Sequence, residues 1–257
     1  MAVSYREWGF QLWDAQRKIS IDDDSAQLLV LTADAPTAPT IYSDDKGTAV
    51  SNAVRSPRTF TNGWVRFWTA PSVTSVDLSL MTAKGEAYFF EDVGYSVHRL
   101  DVNPFQRDHT LVLPFGASDA TETDTGIDLP ANLLIKDALL KVTTIDATET
   151  LDVGILSSES GGDADGLLML MDVANLGFVN PFPVVTNGVN IDYNVHTSGR
   201  GALLKQGIAG ADAVATCGGV QPRFYRTDGT AKSITYTGST GSDTAAGYIV
   251  LAYTRLP

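Results

Sequence analysis

Residues 72–93, SVTSVDLSLMTAKGEAYFFEDV, decide the fold class of this chain. Val76, Leu78 and Leu80 alternate with Asp77 and Ser79, the period of two that gives a half-buried strand one apolar and one polar face. Ala83-Lys84-Gly85 then supplies turn chemistry, with glycine where a positive φ carries no steric penalty, and Ala87-Tyr88-Phe89-Phe90 returns as the partner strand. The pattern predicts a β-hairpin. Immediately upstream, residues 63–69 read as another strand, with Trp64 and Arg66 on one face and Val65, Phe67 and Thr69 on the other.

Working outward, the same texture continues. DHTLVLPF at 108–115, the long run 133–145 and the segment 150–156 read as strands, the last with Leu151, Val153 and Ile155 alternating with Asp152 and Gly154. After the small-residue loop SSESGGDADG at 157–166, residues 167–175 read as a short helix closed by Gly177. Ile234 and Tyr236 precede a turn, GSTGSD, and 248–253 returns as a closing strand. Pro36, Pro39, Pro71, Pro104, Pro130, Pro181 and Pro183 fall between such runs, and Pro114 sits inside one. Short strands punctuated by turns predict an all-β protein of antiparallel β-sandwich, jelly-roll-like domains. A soft break near Pro104 divides it into an N-terminal β domain over 21–104 and a C-terminal sandwich over 105–257.

Residues 1–20 are set apart as an N-terminal arm. Tyr5, Trp8, Phe10, Leu12 and Trp13 crowd together there and are the candidate binding residues. Trp8, Leu12 and Ala15 would share a helical face, whereas Trp8, Phe10 and Leu12 alternate as a strand would. Two placements follow: an arm that grips a neighbouring subunit, or a first element packed on its own domain.

The 257 residues carry 18 Lys and Arg against 30 Asp and Glu, a formal net charge of −12. That balance speaks against nucleic acid, which requires a basic stripe along the phosphate backbone. The single cysteine, Cys217, cannot form an internal disulfide. The N-terminal residues interrupt any apolar run with Arg6, Glu7 and Asp14, so no export signal is expected, and the apolar stretch near 245–253 is too short for a membrane span.

Catalytic chemistry finds little to work with. His98, His109 and His196 stand in no motif, and Ser239 lies in TGSTG between two strands, without the spacing of a nucleophile elbow. Asp163 and Asp165 in GGDADG, with Asp172 beyond, partly resemble a calcium loop, but Gly161 occupies its opening position, so an aspartate-capped turn is the simpler reading. Asp22-Asp23-Asp24 reads as a solvated charge run, and SGRGALLKQG, with Gly199 and Gly201, lacks the remaining residues of a phosphate loop. No enzyme activity, metal or cofactor is expected.

Several phrases carry a resemblance. Residues 61–90, TNGWVRFWTAPSVTSVDLSLMTAKGEAYFF, together with 143–147, 151–154, 162–166 and 243–248, resemble modules of tailed-bacteriophage virion proteins, particularly those that decorate or cement the capsid. The resemblance implies a non-enzymatic protein made in the host cytoplasm and resident on the capsid surface. It also implies a homotrimer bridging subunits of the major capsid protein, with the strand around 248–256 at a subunit contact or buried in its own sandwich. The alternative is a tail-associated or fibre-like adsorption module that binds host-surface carbohydrate through exposed aromatics such as Trp64 or Tyr95. A carbohydrate-active enzyme on a sandwich fold is the third reading.

Overall fold

The structure, a computed structural model, describes residues 5–14, 16–21, 23, 25–43, 49–50, 58–94, 97–102, 108–116, 120–179, 199–201, 203–204, 225–227, 229–239 and 244–256. The first half holds β1 (Arg6–Asp14), β2 (Ile19–Ser20), β3 (Gln27–Thr32), β4 (Ile41–Tyr42), β5 (Ala49–Val50), β6 (Arg58–Thr59), β7 (Trp64–Thr69), β8 (Ser75–Met81), β9 (Ala87–Gly94) and β10 (Val97–Val102). The second holds β11 (Asp108–Phe115), β12 (Thr123–Leu129), β13 (Leu133–Thr144), β14 (Thr150–Ile155), β15 (Asp163–Asp172), β16 (Gly177–Val179), β17 (Gly199–Arg200), β18 (Tyr225–Arg226), β19 (Lys232–Gly238) and β20 (Ala246–Arg255). All described regular structure is strand, and every described pairing is antiparallel except that of β1 with β10.

Four sheets result. An outer sheet runs β10-β1-β7-β4-β5, with β2 on β1, and faces an inner sheet of order β6-β3-β8-β9. Trp8, Phe10, Leu12 and Phe67 from the outer sheet, and Leu28, Val30, Leu78 and Leu80 from the inner one, form their common core. The second sandwich pairs a sheet of order β11-β20-β13-β16 with one of order β12-β19-β14-β15-β17, and β18 also pairs with β13. All but one step among its eight principal strands crosses from one sheet to the other.

The expected hairpin is present. In β8–β9, Leu78 pairs with Phe90, Leu80 with Tyr88 and Met81 with Ala87, and Gly85 in the turn has φ of 76°. The half-buried reading of β8 is corrected, however: Asp77 and Ser79 are buried as well. The second face of the inner sheet carries Leu29, Leu31, Met81 and Ala87 into the core of the second sandwich. The two polar groups are satisfied there. Ser79 Oγ donates to the Val112 carbonyl at 2.6 Å, and Asp77 accepts from the Asp34 and Asp92 amides at 3.0 and 2.8 Å. The halves therefore share buried surface, whereas Pro104 itself lies outside the described residues.

The helix expected over 167–175 is corrected to a strand, β15. Val153 pairs with Leu168 but Leu151 pairs with Met171, so β15 spends one more residue than β14 over the same span, a β-bulge. Leu170 sits there at φ of 49°, its amide donating to Asp152 Oδ1 at 2.6 Å. The bulge shifts the phase of alternation, so Leu167, Leu168 and Met171 are buried at a spacing that imitates a helical face. Segment 248–253 is central rather than peripheral: β20 lies between β11 and β13, buried in its own sandwich.

Candidate binding surface

The N-terminal segment is a strand rather than a free arm. β1 is flanked by β10 and β7, with Trp8 opposite Phe67 and Phe10 opposite Val65. Trp8, Phe10 and Leu12 have no exposed surface; Trp8 and Phe67 stack at 6.1 Å between centroids, and the Trp8 indole N–H donates to Thr69 Oγ1 at 2.9 Å. These three candidates cannot grip a neighbour without dismantling their own core, so the placement on the chain's own domain is the one observed. Tyr5 and Trp13 are half-buried, and Tyr5 packs on Tyr42 at 4.4 Å.

What β1 does present outward is its other face. The register places Glu7 beside Trp68, Gly9 beside Arg66 and Gln11 beside Trp64, and Tyr42 of β4 also flanks Trp68. The outward face of this sheet is thus rich in partly exposed aromatics, because each strand alternates them with the core set. Trp64 and Arg66 share one face of β7, as the alternation of the sequence predicts.

At one end this face dips into a hollow of about 590 Å³ lined by Arg58, Thr59, Thr61, Trp64, Val65 and Arg66. Its construction is local. Asn62 and Gly63 both take positive φ, 50° and 71°, the geometry of a two-residue type I′ turn, and Thr61 and Trp64 exchange backbone bonds of 2.7 and 3.0 Å across it. β6, paired in the inner sheet, and β7, in the outer sheet, therefore splay from this turn and leave the hollow between them. Arg66 lies over the Trp64 ring at 5.4 Å and reaches Glu7 at 3.5 Å, an exposed pair of small energetic consequence that orients the guanidinium. Among the described residues no carboxylate pairs with Arg58, and partial burial lowers its pKa from the usual arginine value.

The other singled-out residues have structural partners. Ser239 caps a turn, its hydroxyl and amide donating to Glu149 Oε2 at 2.8 and 2.9 Å. His109 is buried between the Tyr88 and Tyr253 rings. The side-chain hydrogen bond that protonated Asp163 donates to Asp165, with burial and the Asp165 charge, pushes Asp163 up to about 6. Asp172 accepts from the Ala174 amide at 2.8 Å, and Asp23 from those of Ser25 and Ala83. No group of three or more His, Cys, Asp or Glu side chains among the described residues is arranged to hold a metal ion. Asp22, Asp24, Tyr95, His196 and Cys217, and the His98 side chain, lie outside the described residues.

The chain belongs, by its fold, to the all-β proteins of packed antiparallel sandwiches. No protein-family model, curated protein or solved structure matches it.

Proposed function

We propose that the protein is a non-enzymatic structural component of a phage particle, decorating the capsid and stabilising it by bridging neighbouring subunits of the major capsid protein. The observation that supports the reading is the strand order of the second sandwich, whose successive principal strands switch sheets at all but one step; we read this order as a jelly roll, a layout shared by viral capsid and lectin domains. The phage-like sequence phrases point the same way.

Contacts for such a role are available on that sandwich. Ile145, Leu176 and Phe178 are large apolar side chains left 46%, 69% and 67% exposed, the kind of surface a protein neighbour covers. In this reading they serve the homotrimer or the shell, in place of the buried Trp8, Phe10 and Leu12. Stabilisation follows by mass action, because the protein binds assembled subunits and not free ones.

The test is to add purified protein to shells that lack it and count bound copies by quantitative imaging and gel densitometry. Hundreds of copies on the shell, lost in a folded Leu176→Ser/Phe178→Ser variant, are expected. A few copies confined to the tail would overturn this reading in favour of the second, an adsorption module binding host carbohydrate, which the hollow beside Trp64 favours.

A further inference from the structure

We infer that the hollow between β6 and β7 binds a carboxylate-bearing sugar, such as a uronic acid residue of an acidic glycan. The inference stands on the chemistry of the lining rather than on any location in a particle, so its failure leaves the shell-binding reading to its own test.

Four properties of the lining converge. First, its charge is opposite to that of the chain: among the described residues two guanidiniums and no carboxylate line the hollow, in a protein whose net charge is −12. Such a local reversal attracts an anion that the rest of the surface repels. Second, the guanidinium forks differ in commitment. Arg66 is tied to Glu7 and Trp64, whereas Arg58 has no carboxylate partner among the described residues and can meet an incoming carboxylate with two parallel N–H donors.

Third, the remaining wall suits a sugar better than a bare inorganic ion. Trp64 contributes a partly exposed indole held in place by Arg66, an apolar surface for the C–H face of a pyranose. Thr59 and Thr61 bring hydroxyls that both donate and accept, matching ring hydroxyls. Fourth, the volume of about 590 Å³ falls within the roughly 300–1,000 Å³ of ordinary small-molecule sites. Phosphate or sulfate would satisfy the arginines but leave the indole and hydroxyls unused.

The experiment is titration of the full-length protein, followed by tryptophan fluorescence and calorimetry. The probes are a galacturonate trisaccharide, the neutral galactose trisaccharide and inorganic phosphate. The acidic trisaccharide is expected to bind at least about tenfold more tightly than either other probe, and less tightly as salt is raised. Arg58→Gln should cost about tenfold or more, with Arg58→Lys in between because a single ammonium cannot reproduce the fork. Thermal melting of each variant at the wild-type midpoint separates lost binding from lost fold. Absence of trisaccharide binding, equal affinity for the neutral sugar, or a folded Arg58→Gln variant with wild-type affinity would each overturn the assignment. Phosphate binding as tight as the uronate would reduce the site to a general anion hollow and overturn it too.

Discussion

Arg255→Ala should destabilise the protein far more than Glu86→Gln, although both break the same ion pair. Glu86 lies at the β8–β9 turn and Arg255 ends β20, so the pair, at 2.8 Å, ties the first half of the chain to the last described strand of the second. The side chains are 3% and 22% exposed. Removing arginine leaves a carboxylate out of water with the Thr82 hydroxyl at 3.3 Å as its remaining side-chain partner among the described residues, whereas removing the carboxylate leaves a guanidinium that water can reach. Stranding one member of a buried pair costs about 3–5 kcal/mol, and the partial exposure of Arg255 argues for the lower end, about 3 kcal/mol. For a chain of this size that corresponds to a melting point lower by about 6–12 °C. Glu86→Gln should cost about 1–2 kcal/mol, the scale of a single altered hydrogen bond. A Glu86→Leu/Arg255→Met double variant should recover most of the loss, because it strands neither charge. Urea unfolding followed by tryptophan fluorescence measures all three. A loss below about 1 kcal/mol for Arg255→Ala, or a double variant as unstable as the sum of the singles, refutes the argument.

Deleting residues 1–14 should yield insoluble or poorly folded protein, since it removes a strand from within the outer sheet, and Phe10→Ala should cost about 3–5 kcal/mol; a truncated protein melting at the wild-type temperature would contradict this. Gly154→Ala should be as damaging as a severe core substitution, because a Cβ would stand 2.0 Å from the Asp163 carbonyl oxygen and 2.4 Å from the Ala164 carbonyl carbon, backbone that cannot rotate away; soluble protein with an unchanged melting point counts against it. Two carboxyls should give opposite pH responses. Asp163, raised to about 6, binds its proton more tightly folded than unfolded, so its contribution grows as pH falls from about 6 towards 4, and Asp165→Asn should weaken that trend. Asp146 is held down to about 2 by the Thr148 and Thr244 amides, so its contribution is present above about pH 4 and lost as pH falls through 2. Carbon-detected NMR titration of both carboxyls checks the order, and the same midpoint for the two would be the wrong outcome.

The all-β class was legible because Val76–Leu80 and Leu151–Ile155 alternate in sequence, and each strand pairs in unbroken register with one neighbour, β8 with β3 and β14 with β19. What hid the second covered face of β8 is distance along the chain: the group that satisfies Ser79 is the Val112 carbonyl, thirty-three residues away. The β15 error has a different cause, since a bulge changes the phase of burial and periodicity alone cannot tell that from a helix. Within the hollow, Trp64 and Arg66 could be paired by alternation, and Asn62-Gly63 is a strong local turn signal. Arg58 carried no such mark, because the hollow arises only where two sheets diverge.

The strand order of the second sandwich also has a consequence for synthesis. β20 is the last described strand to leave the ribosome, yet it occupies an interior position, with His109 opposite Tyr253 and Ile135 opposite the same residue on the other side. Until it arrives, β11 and β13 have no strand between them and expose unpaired edges, the condition under which chains associate wrongly. Contacts this distant in sequence also close slowly. A chain truncated before β20 would therefore lack the middle of a sheet rather than its border, and the arrival of β20, not formation of the first hairpin, commits the second sandwich to its native form.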